Sequence, residues 1–253
     1  MSSTRMPDPS VTKASTIKIA TQPEEIKASL RLVYRAYLHK GLIRPNPYTL
    51  RVTPYHLSPA TEVFMATVHG QPACTVSLVR DGDWGLPMES LFDEEVAWRR
   101  EQGIACAEAS CLADRREKQA RSFPLVARLM SFTIQCAEYR GIDQLLIAVH
   151  PRHSKFYQRF LGFHQITTDE RAYEAVCDNP AVALALDIPR LSHDSPAAYK
   201  RVFGKPFRAE DLRYRPISDE LRGELRMIVG DTYFPDHHEI DEKNLQETEL
   251  ACV

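Results

Sequence analysis

Ala107-Glu108-Ala109-Ser110-Cys111-Leu112-Ala113, running into Asp114-Arg115-Arg116-Glu117-Lys118-Gln119-Ala120-Arg121, is the stretch on which the reading of the whole chain turns. The first seven residues are small or apolar apart from Glu108 and Ser110, and they predict a strand. The next eight are mostly charged and predict a loop. Residues 122–139 predict a helix: Leu125, Leu129, Phe132 and Cys136 fall in line, flanked by Val126, Thr133 and Ala137, and Gly141 stops it. Gln144–Val149 predicts a second strand. An aromatic-rich helix follows, from His150-Pro151-Arg152-His153 through Phe156-Tyr157 to Leu161-Gly162-Phe163. Strand, helix and strand in that order form a βαβ crossover with parallel strands.

Upstream, Ile17–Ala20 reads as a short strand, and Thr21-Gln22-Pro23-Glu24 as a capping box with Glu24 reaching back. The helix it opens carries Ile26, Leu30, Val33, Tyr34, Tyr37 and Leu38 at i, i+3/i+4 spacing and stops at Gly41. Residues 44–61, with Pro45, Pro47, Pro54 and Pro59, form a long loop. Val63–Val68 and Ala73–Val79 pair as a hairpin across His69-Gly70-Gln71-Pro72. Residues 89–102 make a charged helix with Leu91, Phe92 and Val96 on its buried side, and Ala181–Ile188 is a last apolar strand. The order predicts an α/β (α+β) fold: one mixed, mostly antiparallel sheet with helices on both faces and a central βαβ crossover. Three parts follow: a Ser/Thr/Pro-rich disordered N-terminus over 1–15, a single domain over 16–189, and a polar extension over 190–253 with a helix near 218–229 and an acidic end. The extension is expected to be peripheral to the sheet. The sheet is expected to splay between the strand that ends near Leu112 and the strand that ends near Val149.

The 253 residues suffice for a sizeable core, and 43% hydrophobic with 26% charged residues is ordinary for a soluble globular protein. A net charge of −2 argues against a general nucleic-acid-binding surface. The N-terminus has no apolar run of a signal peptide and no segment reaches the length of a membrane span, so a cytoplasmic location is expected. The cysteines at 74, 106, 111, 136, 177 and 252 form no Cys-x-x-Cys and mostly lie in apolar segments, which favours reduced, buried thiols over disulfides or zinc. His150-x-x-His153 lacks further ligands at metal-site spacing, so no metal is expected.

With these elements placed, six segments in order carry a family resemblance: Leu32–Tyr37, Ser58–Ala66, Gly85–Phe92, Ala107–Ser110, Ala148–His153 with Phe156-Tyr157, and Pro180–Leu184. From about Glu24 to Ile188 the chain resembles the N-acyl amino acid synthases of the FeeM type, GNAT-fold relatives of the acyl-homoserine lactone synthases. The resemblance implies a GNAT-like domain over 16–189. It also implies transfer of a long-chain fatty acyl group from acyl carrier protein to the amine of an amino acid. The donor would be acyl-phosphopantetheine on that carrier, with acyl-CoA as the alternative, and no resident cofactor. Two departures bear on it. Ordinary acetyl-CoA GNATs have Gln/Arg-x-x-Gly-x-Gly/Ala where this chain has the glycine-free Asp114–Arg121, which speaks against a pyrophosphate cradle. Lactone synthases have Glu-x-Ser-Arg where this chain has Glu108-Ala109-Ser110-Cys111, which counts against the alternative of a lactone-type synthase using S-adenosylmethionine. A non-catalytic module that binds acylated carrier protein is the remaining alternative.

Glu108 in an apolar strand is unfavourable unless paired or functional. It reads as a general base for the incoming ammonium, or as an ion-paired structural residue. Ser110, two residues on, shares its face and reads as a substrate contact or a satisfied core hydroxyl; a serine nucleophile working with His153 is less favoured, since an amine attacks a thioester without one. Arg115, Arg116, Lys118 and Arg121 read as a collar for the pantetheine phosphate and the acidic face of a carrier, or as a solvated loop, with Ser122 capping the helix behind them. Arg152, His153 and Tyr157 are candidates to line the pantetheine tunnel. Arg35 and Tyr37 are candidates for the acceptor, Arg35 by holding its carboxylate or else pairing with an acid such as Glu62.

Reversing Arg115, Arg116 and Lys118 to Glu is expected to weaken use of an acyl-carrier donor strongly, more so as salt falls, and use of a short synthetic pantetheine thioester much less. Steady-state rates with the two donors over a salt series check this; equal losses would show that the loop does not select the carrier.

Overall fold

The computed structural model describes residues 15–115 and 119–233, and of residues 119–122 the backbone alone. Among these, eight strands form one sheet in the order β1-β2-β3-β4-β5-β8-β6, with β7 also on β8. The strands are β1 (Ser15–Ile19), β2 (Thr61–Val68), β3 (Gln71–Arg80), β4 (Cys106–Asp114), β5 (Gln144–Val149), β6 (His164–Gln165), β7 (Arg171–Tyr173) and β8 (Asn179–Asp187). All neighbours are antiparallel except β4 and β5. The helices are α1 (Pro23–His39), α2 (Glu89–Glu101), α3 (Gln119–Tyr139), α4 (Pro151–Phe156, continued as a π turn over Tyr157–Leu161), α5 (Leu191–Asp194), α6 (Pro196–Phe203) and α7 (Asp219–Tyr233). A 3₁₀ turn, Pro54–Leu57, interrupts the long loop.

Alternation along the strands assigns the two faces. Phe64, Ala66, Val76 and Leu78 face α3, where Leu129, Phe132 and Cys136 are buried as their spacing predicts. Val63 and Met65 face α1, while Val79, Cys106 and Leu146 face α2. The hairpin between β2 and β3 turns on His69 and Gly70, with φ of 51° and 74°; two consecutive positive φ values give the primed turn that matches strand twist. Gly162 closes α4 at φ 81°, and a Cβ there would lie 2.5 Å from Leu191 Cδ1.

Three local expectations are corrected. The carboxylate that reaches back at the start of α1 is Glu25, accepting from the Thr21 and Gln22 amides, not Glu24. The third helix begins at Gln119, so Ser122 lies within its first turn rather than capping it; a helix can start ahead of Pro124 because a proline near the N-terminus removes few intrahelical bonds. Residues 190–233 add no strand, but they are not peripheral. Leu191, Ala198 and Val202 enter the core beneath α3, and Leu221, Leu225, Ile228 and Val229 pack on α1 beside Ile26 and Leu30. Residues 1–14 and 234–253, including the acidic tail, lie outside the described residues.

A buried ion pair ties the sheet to this C-terminal segment. Arg140, at the end of α3, donates to both oxygens of Glu62 on β2 at 2.6 and 2.7 Å, and the Arg215 amide donates to the same carboxylate at 2.8 Å. Glu62 is therefore not the partner of Arg35. The side chains are 0% and 5% exposed for Glu62 and Arg140, so losing one partner leaves an uncompensated charge. Arg140→Met is expected to destabilise the fold by about 3–5 kcal/mol, and the double change with Glu62→Met to recover much of that. Urea unfolding midpoints test it; a single-variant loss below about 1 kcal/mol would mean that water or other groups solvate Glu62.

Candidate active site

β4 and β5 pair only at Cys106–Gln144, Ala107–Leu145 and Glu108–Leu146. Beyond Glu108 the strands part, as the sequence led us to expect. The cause of the bend lies on the other edge of β4. Thr75 faces Ala113 and Ser77 faces Ser110, so Cys111 and Leu112 together oppose Val76: a bulge, with Cys111 at φ 54°. A positive φ at cysteine is uncommon and held by its surroundings. From Ala109 to Ala113 the β5-facing edge of β4 thus has no ladder partner in β5.

Glu108 sits at the apex of this opening. It is 2% exposed, and its Oε2 accepts from the Met88 amide at 2.7 Å. Among the described residues no cation pairs with it. Burial raises its pKa to about 8, the Met88 amide opposes the rise, Glu89 adds to it, and the Ser110 hydroxyl opposes it. The turn that offers the Met88 amide is pinned from several sides. Glu89 accepts from the Leu86 amide and pairs with Arg100, which also holds Asp81. Tyr173 of β7 donates to the Pro87 carbonyl at 2.9 Å, and Tyr55 donates to the Leu86 carbonyl at 3.2 Å.

A cleft of about 1330 Å³ opens onto Glu108 and continues into the gap between β4 and β5. Ser110 lines it half-buried, on the face of Glu108 as the strand period requires. Tyr37, Arg152, His153 and Tyr157 line it too. Arg152 is exposed and donates to His153 Nε2 at 3.1 Å. Tyr157 is buried in the gap, and burial raises its phenol well above the usual range, so it keeps its proton. Arg35 is exposed and does not line the cleft. Arg115 is exposed, and its amide donates to the Ala73 carbonyl at 2.8 Å. Arg116 and Lys118 lie outside the described residues, as do the side chains of Arg121 and Ser122.

Four side chains in the cleft wall were not legible in the sequence. His56, 1% exposed, accepts from the Thr53 amide at 2.9 Å through Nδ1, which leaves the proton on Nε2, 3.1 Å from Ser77 Oγ. Burial, with help from the Arg51 charge, lowers its pKa to about 4, so it is neutral. Ser77 lies opposite Ser110, which brings this pair beside Glu108. Tyr173 and Arg51 complete the set. Only tertiary pairing joins residues 56, 77 and 108, and no periodicity could signal it. Among the described residues no group of three His, Cys, Asp or Glu is placed to hold a metal, and no helix is long and apolar enough to cross a membrane.

The comparisons with known proteins point one way. The family model described as N-acyl amino acid synthase FeeM matches residues 28–187. The structure of FeeM, an N-acyl amino acid synthase from uncultured soil microbes, is similar at TM-score 0.64 and 29% identity, covering 71% of this chain and 93% of that one. The AHL synthase LasI is similar in fold at TM-score 0.56 and 13% identity, covering 77% and 96%. The CoA-dependent acyl-homoserine lactone synthase MesI gives 0.54 and 14%, covering 76% and 97%. No curated protein matches at a significant level. With a mixed GNAT-like sheet, a split between its parallel strands and a match over most of its length, this chain is an acyltransferase and belongs to the FeeM family of N-acyl amino acid synthases.

Proposed function

We propose that the protein moves a long-chain fatty acyl group from the pantetheine thioester of acyl carrier protein to the amine of an amino acid. The observation that carries this reading is Glu108: a carboxylate buried without a counter-ion, at the apex of a strand split, opening onto a cleft. A structural glutamate in a GNAT-like binding module would need neither the missing partner nor the opening. The cleft exceeds the usual 300–1,000 Å³ of small-molecule sites, in keeping with one that takes an acyl chain and an acceptor together.

The ammonium of the acceptor gives a proton to Glu108, directly or through water, and the free amine attacks the thioester carbonyl carbon. A C–N bond forms, the C–S bond breaks, and the pantetheine sulfur leaves as a thiolate that takes up a proton. The products are an N-acyl amino acid, a free pantetheine thiol and one released proton. A carboxyl raised to about 8 is better matched to an ammonium than an ordinary glutamate. The unpaired edge of β4 supplies amides for the pantetheine arm and for the oxyanion of the tetrahedral intermediate. Tyr157, protonated in the gap, can donate a hydrogen bond to the leaving sulfur. Ser110 and the neutral His56–Ser77 pair orient groups around Glu108. Carrier protein is favoured over CoA as donor because Asp114–Arg121 is basic and glycine-free. Expressing the chain in a bacterial host and analysing the lipid extract for new N-acyl amino acids by mass spectrometry tests the reading; an extract with none would count against it.

Glu108→Gln is expected to lower kcat/KM by about 10²-fold or more while leaving the fold intact. In the wild type kcat/KM should rise through about pH 8 as Glu108 ionises, and the variant should lose that limb. Wild-type rates in the glutamine variant would return Glu108 to a structural role.

The same substitution has a stability signature. The raised pKa means that the folded state holds a proton on Glu108 that the unfolded chain releases near its ordinary value of 4.5. Between about pH 4.5 and about pH 8 this contribution falls with rising pH, and above that it is constant. Glu108→Gln lacks it, so the variant should melt near the wild type at pH 5 and progressively above it toward pH 8. A Tm difference that does not change with pH would show that Glu108 titrates normally.

A further inference from the structure

We propose that Arg51 anchors the carboxylate of the amine-bearing substrate, and that α7 walls this subsite and shields it from water. The inference rests on acyl transfer to an amino acid and assigns the group that selects one.

Arg51 projects from a fixed point. Its neighbours Leu50 and Val52 are buried beneath α7, and its amide donates to the Leu30 carbonyl of α1 at 3.2 Å. The guanidinium lines the cleft with most of its donors unspent. Nη2 donates to the Ala175 carbonyl at 2.8 Å, while Nε is buried and has no hydrogen-bond partner. Among the described residues no carboxylate pairs with it. A buried N–H left unmade is unfavourable, and the Nε edge of a guanidinium is one of the two that a carboxylate engages with both oxygens. Of the other cations in the cleft wall, Arg44 and Arg152 are exposed, where water competes for their charge, and Lys40 is partly buried but has no planar fork to engage both carboxylate oxygens.

Arg51 and Glu108 line the same cleft, so an acceptor held at Arg51 by its carboxylate can direct its amine toward Glu108.

The other wall comes from outside the family match, which ends at residue 187. Asp231, Thr232 and Tyr233 of α7 line the cleft. The Arg51 guanidinium lies over the Tyr233 ring, 6.0 Å from its centroid, and Tyr48 donates to the Asp231 carboxylate, fastening the helix end to the loop that carries Arg51. An aromatic face beside a guanidinium excludes water without neutralising the charge, which strengthens its hold on a carboxylate.

The test uses the full chain, an acyl-carrier donor at saturation, the best of the twenty amino acids as acceptor, and the carboxamide of that amino acid. The wild type should use the carboxamide about 100-fold less well in kcat/KM. Arg51→Met should raise the KM for the amino acid by a similar factor, leave the KM for the donor unchanged, and abolish the preference for acid over amide. Arg51→Lys should keep part of it. Tyr233→Ala should raise the acceptor KM less, about 10-fold. Should Arg51→Met fail to fold, the wild-type comparison and Arg51→Lys still decide. A wild type that acylates the carboxamide as well as the acid, or an Arg51→Met enzyme that keeps the preference, overturns the anchor and leaves acyl transfer standing. A wild type that acylates no amine at all overturns both.

Discussion

Much of the molecule is arranged around one unfavourable act, burying the Glu108 carboxylate in an apolar strand with a backbone amide in place of a cation. An isolated carboxylate in such surroundings takes up a proton unless something polar is fixed against it. The Gly85–Met88 turn is that fixture, and it cannot hold itself. Glu89 and Arg100 brace it from α2, Tyr173 from β7 and Tyr55 from the 3₁₀ turn. Elements far apart in sequence thus converge on a single N–H. Replacing that N–H with an arginine would stabilise the charge and pull the pKa down, and a glutamate so paired is a poor acceptor for a proton from an ammonium.

The split in the sheet follows from the same place. A parallel pair that continued past Glu108 would cover the carboxylate on its β5 side and close the gap that the cleft enters. The bulge at Cys111 interrupts the regular course of β4 and bends it at this point. Its strain is held by the antiparallel ladder to β3 on one side and by Val33 of α1 on the other. The site is therefore a property of how three strands and a helix disagree about register, and no local segment could build it alone.

How much of this is written along the chain differs by level. The βαβ unit and the hairpin could be read because periodicity and turn residues are local signals; Gln144–Val149 has the same limits in sequence and structure, while the other predicted strands are shifted by one or two residues at one end or both. Glu108 stood out because a lone acid in an apolar run breaks the pattern. The bulge left no trace, since cysteine at positive φ has no signature. Arg51 lay hidden in a proline-rich loop, although its apolar neighbours Leu50 and Val52 hinted at a buried backbone. The packing of the C-terminal segment was obscured by polar composition. The spacing of Leu221, Leu225 and Ile228 marks an apolar stripe that a composition count averages away.

That stripe gives the C-terminal segment its role. The region of the family match supplies the sheet, the split and Glu108. Beyond that match, the end of α7 adds Asp231, Thr232 and Tyr233 to the cleft wall beside the loop after α1. Here α7 covers that loop, held down by a shared apolar cluster with Ile26 and Leu30 of α1 and Leu50, Val52 and Leu57 of the loop and, through the Arg215 amide, by the same Glu62 that binds Arg140. A helix fastened at both its packing face and its leading loop can present Tyr233 to Arg51 at a fixed distance. The wall around Arg51 and the split at Glu108 are therefore carried on different elements that meet only across the cleft.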